Sequence, residues 1–412
     1  MAIVSKQRSV YYGWFIVAAC FTVMLCLGEV TWSFGVFFKS IEAEFGWSRS
    51  VTSSCYTLMI LGYGLGAIAA GRLTDRYSAR PVFLASAMVA GPAIMLCSTI
   101  DSVAHLQTLL FVAGLGTGAL LSSPASTVQR WFHGRSRSGV ALALVMAGVG
   151  AGGLVFAPII NYLIDAHGWR CSFICAGGFF LVAVAISGLV VRPLPKLNPE
   201  PGTSSGSPVP TRVTIRNPRF ILISGIMGVS VFGFQIVNVH LVPYLTDIGI
   251  ASTTAAAALG LAGGFSVVGR LTSGVLSGRL GWGRTFALSQ TGVGVSMLLL
   301  LMAGQVWMLY VTIAIYGVSQ GARAVSVMGT MGRIFGMRGL GELTGIMMAA
   351  AQLGGAAGPY AAGYMHDALG SYGSVLVALA VMLLVCGALI LRFLVDPSVR
   401  SNARREVAQP LL

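Results

Sequence analysis

Four side chains able to carry charge sit where charge is costly. Glu29, His240, Arg270 and Arg323 all fall inside apolar runs long enough to cross a bilayer. A charged group at the centre of a bilayer costs about 2.5–3.5 kcal/mol on insertion scales, which makes each of these a functional candidate. The two arginines point to a bound anion, because a guanidinium gives a carboxylate two parallel hydrogen bonds and keeps its charge in a dry cavity. Arg270 stands about two turns from the end of its run. Its competing reading is a side chain that snorkels to the surface or pairs with backbone carbonyls. Ser266, four residues earlier, shares a helical face with Arg270 and so is a candidate for the same site. Arg323 lies in GVSQGARAV, off the close-packing face that Gly317 and Gly321 make, and reads equally as a cavity-lining or a structural residue. Glu29 is the only acid well inside a run, the other eleven falling in loops or at helix ends, and His240 is the only embedded histidine, so these two are the candidate proton carriers. An imidazole titrates near neutrality when unperturbed. For both, the plainer alternative is a hydrogen-bonded residue that only packs helices.

The elements that must position these groups are membrane helices. About 20 residues are needed to cross about 30 Å of hydrocarbon. Runs of that length recur at 12–37, 50–71, 81–100, 104–128, 138–163, 171–192, 219–244, 252–277, 284–303, 306–331, 340–364 and 372–395. Only 9% of the chain is charged and 56% is hydrophobic, against about 25% charged in soluble domains, so a soluble enzyme is excluded. The formal charge of +14 would suggest nucleic acid were it not for its distribution. With the N-terminus inside, 21 of the 26 basic residues fall in inner segments and only Lys39, Arg49 and Arg170 in outer ones. That is the bias of a multi-pass protein with both termini cytoplasmic, and it removes a nucleic-acid partner. The seven cysteines lie at or inside apolar runs, without metal-ligand spacing; neither a metal nor a cofactor is expected.

The second half of the chain repeats the first. GRLTDRYSARP at 71–81 aligns with GVLSGRLGWGR at 274–284 at an offset of 203, and Phe132 and Arg135 match Phe335 and Arg338 at the same offset. Pro158 matches Pro359, and DAHG at 165–168 matches DALG at 367–370. The Pro-, Ser- and Gly-rich stretch between the copies has linker composition. The expected domains are 1–192 and 219–412, each of six helices, joined by a cytoplasmic linker at 193–218. Paired repeats of this kind place a substrate site between the halves near the membrane midplane.

GRLTDRYSARP closely resembles the loop signature of the major facilitator superfamily, Gly-x-Leu-x-Asp-Arg-x-Gly-x-Arg, departing from it at Ser78. YYGWFIVAA at 11–19, SFGVFFKSIEAEFGWSRS at 33–50, HLVPYLTDIGI at 240–250 and VVGRLTSGVLSGRLG at 267–281 are similar to the bacterial monocarboxylate transporter branch. The resemblance spans the chain. It implies an all-α fold of twelve transmembrane helices in two six-helix bundles. It also implies proton-coupled symport of a small monocarboxylate such as lactate or pyruvate, in a monomer held among lipids of a bacterial inner membrane. By position Arg270 resembles the family's substrate-binding arginine. Asp75, Arg76 and Arg80 would then hold an inner gate, although they also serve as plain topology signals; the second copy has Gly278 in place of Asp75. Animal members of the family carry an aspartate at the position of Ser266 and a lysine at that of Trp32, so coupling here rests on other groups, such as Glu29.

Apparent enzyme motifs dissolve in this setting. Gly317-Val-Ser-Gln-Gly321 mimics a nucleophile elbow, and Gly148-x-Gly150-x-x-Gly153 a dinucleotide fingerprint, but both lie in helices with no strand before them. The main competitor is an oxalate/formate-type anion antiporter, since two buried arginines suit two carboxylates. Helix 11 lacks the lysine those antiporters carry. A receptor that binds without translocating, and a drug exporter, fit the residues less well.

Overall fold

The computed structural model describes residues 12–120, 123–132, 137–192, 216–336 and 340–395, leaving aside the side chains of 70–77 and 340–342. The first half comprises α1 (Gly13–Phe45), α2 (Arg49–Tyr77), α3 (Ala79–Leu96), α4 (Val103–Gly118), α5 (Ser123–Trp131) and α6 (Ser138–Val190). The second comprises α7 (Pro218–Asp247), α8 (Ser252–Leu280), α9 (Trp282–Leu301), α10 (Val306–Phe335), α11 (Leu340–Leu369) and α12 (Gly373–Phe393). Among the described residues there is no strand.

The expected twelve crossings are present, with two differences in how they are built. The fourth is divided, α4 ending at Gly118 and α5 beginning at Ser123. Pro124, which lacks an N–H, is tolerated in the first turn of α5. The fifth and sixth are arms of one helical run, 138–167 and 169–190, broken only at Gly168 (φ 82°, ψ 160°), a conformation that strongly favours glycine. Among the described residues nine helices, counting α6 once and α4 with α5, are long and apolar enough to cross a membrane. α10, which carries Arg323, and the Gly- and Ala-rich α11 are outside that set.

The repeat is visible in the backbone. Gly46 (φ 63°) ends α1 as Gly249 (φ 87°) follows α7, and Gly168 (φ 82°) has its counterpart in Gly370 (φ 70°). Ser78, at φ 114°, stands where the second half has Gly281 at φ 83°. Packing follows the same symmetry: α1 lies on the first arm of α6 as α7 lies on α11, and α2 on α4 as α8 on α10. These seams bring backbone against backbone. A Cβ on Gly28 would meet the carbonyl of Val149, and one on Gly321 that of Ser266. Such close approach is the reason a membrane bundle needs many small residues. The halves meet through α1 with α7, α2 with α11, and the first arm of α6 with α8.

Candidate functional site

Two guanidinium groups are set on α8 and α10 of the second half, Arg323 within it and Arg270 at its seam with the first. Gly317 and Gly321 of α10 press against the backbone of α8 at Ala262 and Ser266, the close packing their spacing predicts. Arg323 projects from another face and is buried, 6% exposed. Its Nε donates to Gln320 Oε1 at 3.1 Å and its Nη1 lies 3.5 Å from the Met227 thioether. Half-buried Arg270 donates through Nη1 to the Met146 carbonyl on the first arm of α6, linking the two halves. Arg270 and Arg323 lie within Coulombic reach of each other, with the Tyr316 hydroxyl in the same field. That hydroxyl is buried without a partner. Among the described residues neither arginine has an acidic partner, their hydrogen bonds going only to neutral groups. Buried charges are ordinarily paired, so this arrangement has two cations and room in its bonding for an anion.

Ser266 is less available. Its Oγ donates to the Gly263 carbonyl at 2.6 Å, and Gly150 of the opposite half packs beside it. Trp32, 2% exposed, meets Phe234 of α7 edge-to-face with ring centroids 5.3 Å apart. It is an aromatic contact between halves.

The two candidate proton carriers lie apart from each other. Glu29, 2% exposed, faces a cavity of about 40 Å³ whose walls include Ser33, Phe37, Met59 and Ile160, all from the first half. Neither carboxyl oxygen has a hydrogen-bond partner, and neither does Ser33 Oγ. An ionised carboxylate in such a place would be uncompensated; the neutral, protonated form is the one the cavity accommodates. His240 sits on the seam between halves. Its Nε2 lies 2.9 Å from the Pro359 carbonyl, so that nitrogen carries the hydrogen, and Nδ1 accepts from the Tyr372 hydroxyl at 2.8 Å. Ser53 of α2 stands 3.2 Å from Nε2.

Above His240 lies a charge cluster whose members the sequence places in loops or at helix ends. Arg49, at the start of α2, is 7% exposed. It grips Asp247 at the end of α7 through both terminal nitrogens, the Nη2–Oδ1 distance being 3.0 Å, and donates through Nε to Glu42 at 3.1 Å. Its guanidinium also lies over the Tyr372 ring, 5.2 Å from the centroid, and donates to His366 Nε2 at 3.2 Å. Asp367 of α11 accepts from the backbone N–H groups of Arg49 and Ser50 at 3.2 and 2.9 Å. It thereby caps α2 with a negative charge where the helix dipole favours one. Lys39 adds a second cation to Asp247. A signal for this cluster exists in the sequence. Lys39, Arg49 and Arg170 are the three basic residues that run against the inside bias, and each pairs with an acid.

Of the expected gating residues, Arg80 is exposed at the start of α3. The side chains of Asp75 and Arg76 lie outside the described residues.

The profile of the Major Facilitator Superfamily matches residues 17–289 and 224–411. The chain belongs to that superfamily: it is a multi-pass membrane transporter and not an enzyme. Within it the chain is related, at modest identity, to monocarboxylate transporters. It is 28% identical to monocarboxylate transporter 13 of Rattus norvegicus over 385 residues, covering 92% of this chain and 88% of the relative. It is also 28% identical to monocarboxylate transporter 11 of Mus musculus over 403 residues, covering 92% and 85%. The fold matches a mutant of the nucleoside transporter NupG with a TM-score of 0.77 at 10% identity, over 93% of this chain and 99% of the other. It matches a bacterial homolog of the human lysosomal transporter Spinster, inward-facing and unoccupied, with a TM-score of 0.74 at 15% identity, over 93% and 97%. At such identities the likeness is one of fold alone.

Proposed function

We propose that the chain carries a small monocarboxylate, of the lactate or pyruvate type, together with a proton by alternating access between its two halves. The observation that carries this reading is the pair of interior arginines without an acidic partner. Arg270 is the primary anchor. In the state seen here it spends one donor on the Met146 carbonyl, and an arriving carboxylate competes for that guanidinium. Arg323, Coulombically coupled to it, strengthens the field, and Ser266 contributes once the α6–α8 seam loosens. The names of the relatives support the substrate class.

Glu29 is the proposed proton site, because an unpartnered carboxyl in an apolar cavity is suited to hold a proton. His240, joined to both halves, is the group that would feel their separation. Moving anion and proton together makes the load net-neutral, avoiding about 2.3 kcal/mol per charge per 100 mV of membrane potential. Both termini are cytoplasmic, in a bacterial inner membrane, and the moving units are 1–192 and 219–412, joined by 193–218. Asp75, Arg76 and Arg80 belong to the inner gate. The Arg49 cluster is the outer latch: apart from Arg270–Met146, the hydrogen bonds described between halves lie at this end, down to Thr57–Ala356 at 2.7 Å.

Two arginines without an acidic partner also suit two carboxylates, which favours a second reading, exchange of a dicarboxylate such as oxalate. The test is uptake of labelled L-lactate into proteoliposomes with and without an inward proton gradient, and after loading with oxalate. Symport requires gradient-driven accumulation without internal oxalate. Uptake only against internal oxalate would replace symport with exchange.

A further inference from the structure

The end of the second half expected to be cytoplasmic holds a cavity of about 590 Å³, within the size range of ligand pockets. Four arginines converge on it from four helices: Arg219 of α7, Arg284 of α9, Arg333 of α10 and Arg392 of α12. Among the described residues no acid lines it, and none of the four forms an ion pair. Every described lining residue belongs to the second half, and α9 and α12, which pack on each other, help form it. The cavity therefore lies off the seam between halves and away from Arg270.

The placement of two of these arginines runs against helix electrostatics. Arg333 and Arg392 occupy last turns, where a cation complements the dipole. Arg219 and Arg284 occupy first turns, where the dipole end is already positive and an anion is preferred. The N-termini of α7 and α9 thus open into the same cavity as four cations, an electrostatic arrangement that a bound anion would complete. The adjoining chain does not supply one in excess. Residues 396–412 carry Asp396 and Glu406 against Arg400, Arg404 and Arg405, and residues 193–215 carry Glu200 against Lys196 and Arg212. Beside the cavity, Ile221, Leu391 and Phe393 are exposed apolar side chains on α7 and α12.

We propose that this cavity binds the phosphate group of an anionic phospholipid from the adjacent leaflet. The arginines hold the headgroup through charge-assisted bonds, and the exposed apolar side chains beside them accept its acyl chains. Basic pockets between membrane helices at the cytoplasmic level suit such headgroups. A free phosphate has the same recognition chemistry, and the test separates the two sources.

The full-length protein, purified in detergent, would be titrated with phosphatidylglycerol, phosphatidylcholine and inorganic phosphate, reading bound mass by native mass spectrometry. Phosphatidylglycerol is expected to bind and phosphatidylcholine not to. Arg284→Gln with Arg333→Gln should raise the dissociation constant for phosphatidylglycerol about tenfold or more, as loss of charged hydrogen bonds implies. Arg137→Gln with Arg279→Gln removes the same charge outside the cavity and should leave it nearly unchanged. Should the first pair fail to fold, Arg392→Gln, at an exposed helix end, makes the same comparison. Equal binding of the two lipids, equal weakening by both pairs, or displacement of phosphatidylglycerol by millimolar inorganic phosphate would overturn the proposal.

Discussion

Replacing Arg49 with glutamine should unlatch the outer side. Of its contacts, the one to Glu42 stays within the first half, α1 to α2, and does not oppose separation. The two-nitrogen grip on Asp247 crosses to α7 and must break. With the Arg49 side chain only 8% exposed and Asp247 at 28%, solvent screens this pair little. A hydrogen bond to a charged group contributes about 1.5–3 kcal/mol, so its loss should shift the balance of states toward outer-open about 10- to 100-fold. Lys39 also reaches Asp247, but at 36% exposure its pair is a surface one. Such pairs contribute about 0–1 kcal/mol, a factor of roughly five at most. The reporter is Ser53→Cys, whose side chain is buried about one turn below Arg49. Its rate of labelling by a membrane-impermeant maleimide added outside would be measured in intact cells, with the parent chain correcting for natural cysteines. Arg49→Gln should raise the rate by one to two orders of magnitude, and Lys39→Gln by far less. An unchanged rate in Arg49→Gln, or equal rates in the two variants, would refute the latch and the reasoning from burial behind it.

Three further outcomes follow from particular residues. Glu29→Gln should abolish lactate accumulation driven by a proton gradient while sparing lactate–lactate exchange; retained accumulation would remove Glu29 as the proton site. Ser78→Gly should raise the thermal unfolding midpoint. A non-glycine residue at φ 114°, ψ 171° costs about 1–3 kcal/mol, of which the entropy of glycine offsets about 0.5–1 kcal/mol; a lowered midpoint would contradict the strain. Gly321→Ala should lower that midpoint, since its Cβ meets the Ser266 carbonyl on a packed helix and overpacking costs about 1–3 kcal/mol. An unchanged midpoint would show that the α8–α10 seam yields.

The crossings were legible because a bilayer demands length and hydropathy, and both can be read residue by residue. Apolar runs underestimated the helices at their polar ends: α1 continues to Phe45 and α11 to Leu369, where charged residues are helical without being apolar. The repeat was legible too, and the backbone shows it at Ser78, which departs from the family signature and occupies a turn for which the second half uses Gly281. The interior arginines stood out because charge is rare in such runs. The Arg49 latch did not, because at the ends of helices charge is commonplace and only tertiary pairing distinguishes a gate from a topology signal. Glu44 and Asp247, equivalent by the repeat, show the difference. Arg170 of the same half satisfies Glu44, whereas Arg49 and Lys39 of the opposite half satisfy Asp247. Hydropathy carries nothing of that.

The assignment of the substrate carboxylate to Arg270 is the centre of the account, and it is tested most directly by labelled L-lactate uptake into proteoliposomes under an inward proton gradient. The parent protein and Arg270→Gln would be reconstituted at equal density after both are shown to be monodisperse. Accumulation by the parent that the variant loses, with external lactate no longer protecting the variant against thermal unfolding, is the predicted result. Accumulation by Arg270→Gln at the parent rate would contradict it and leave Arg270 as the donor to Met146 alone.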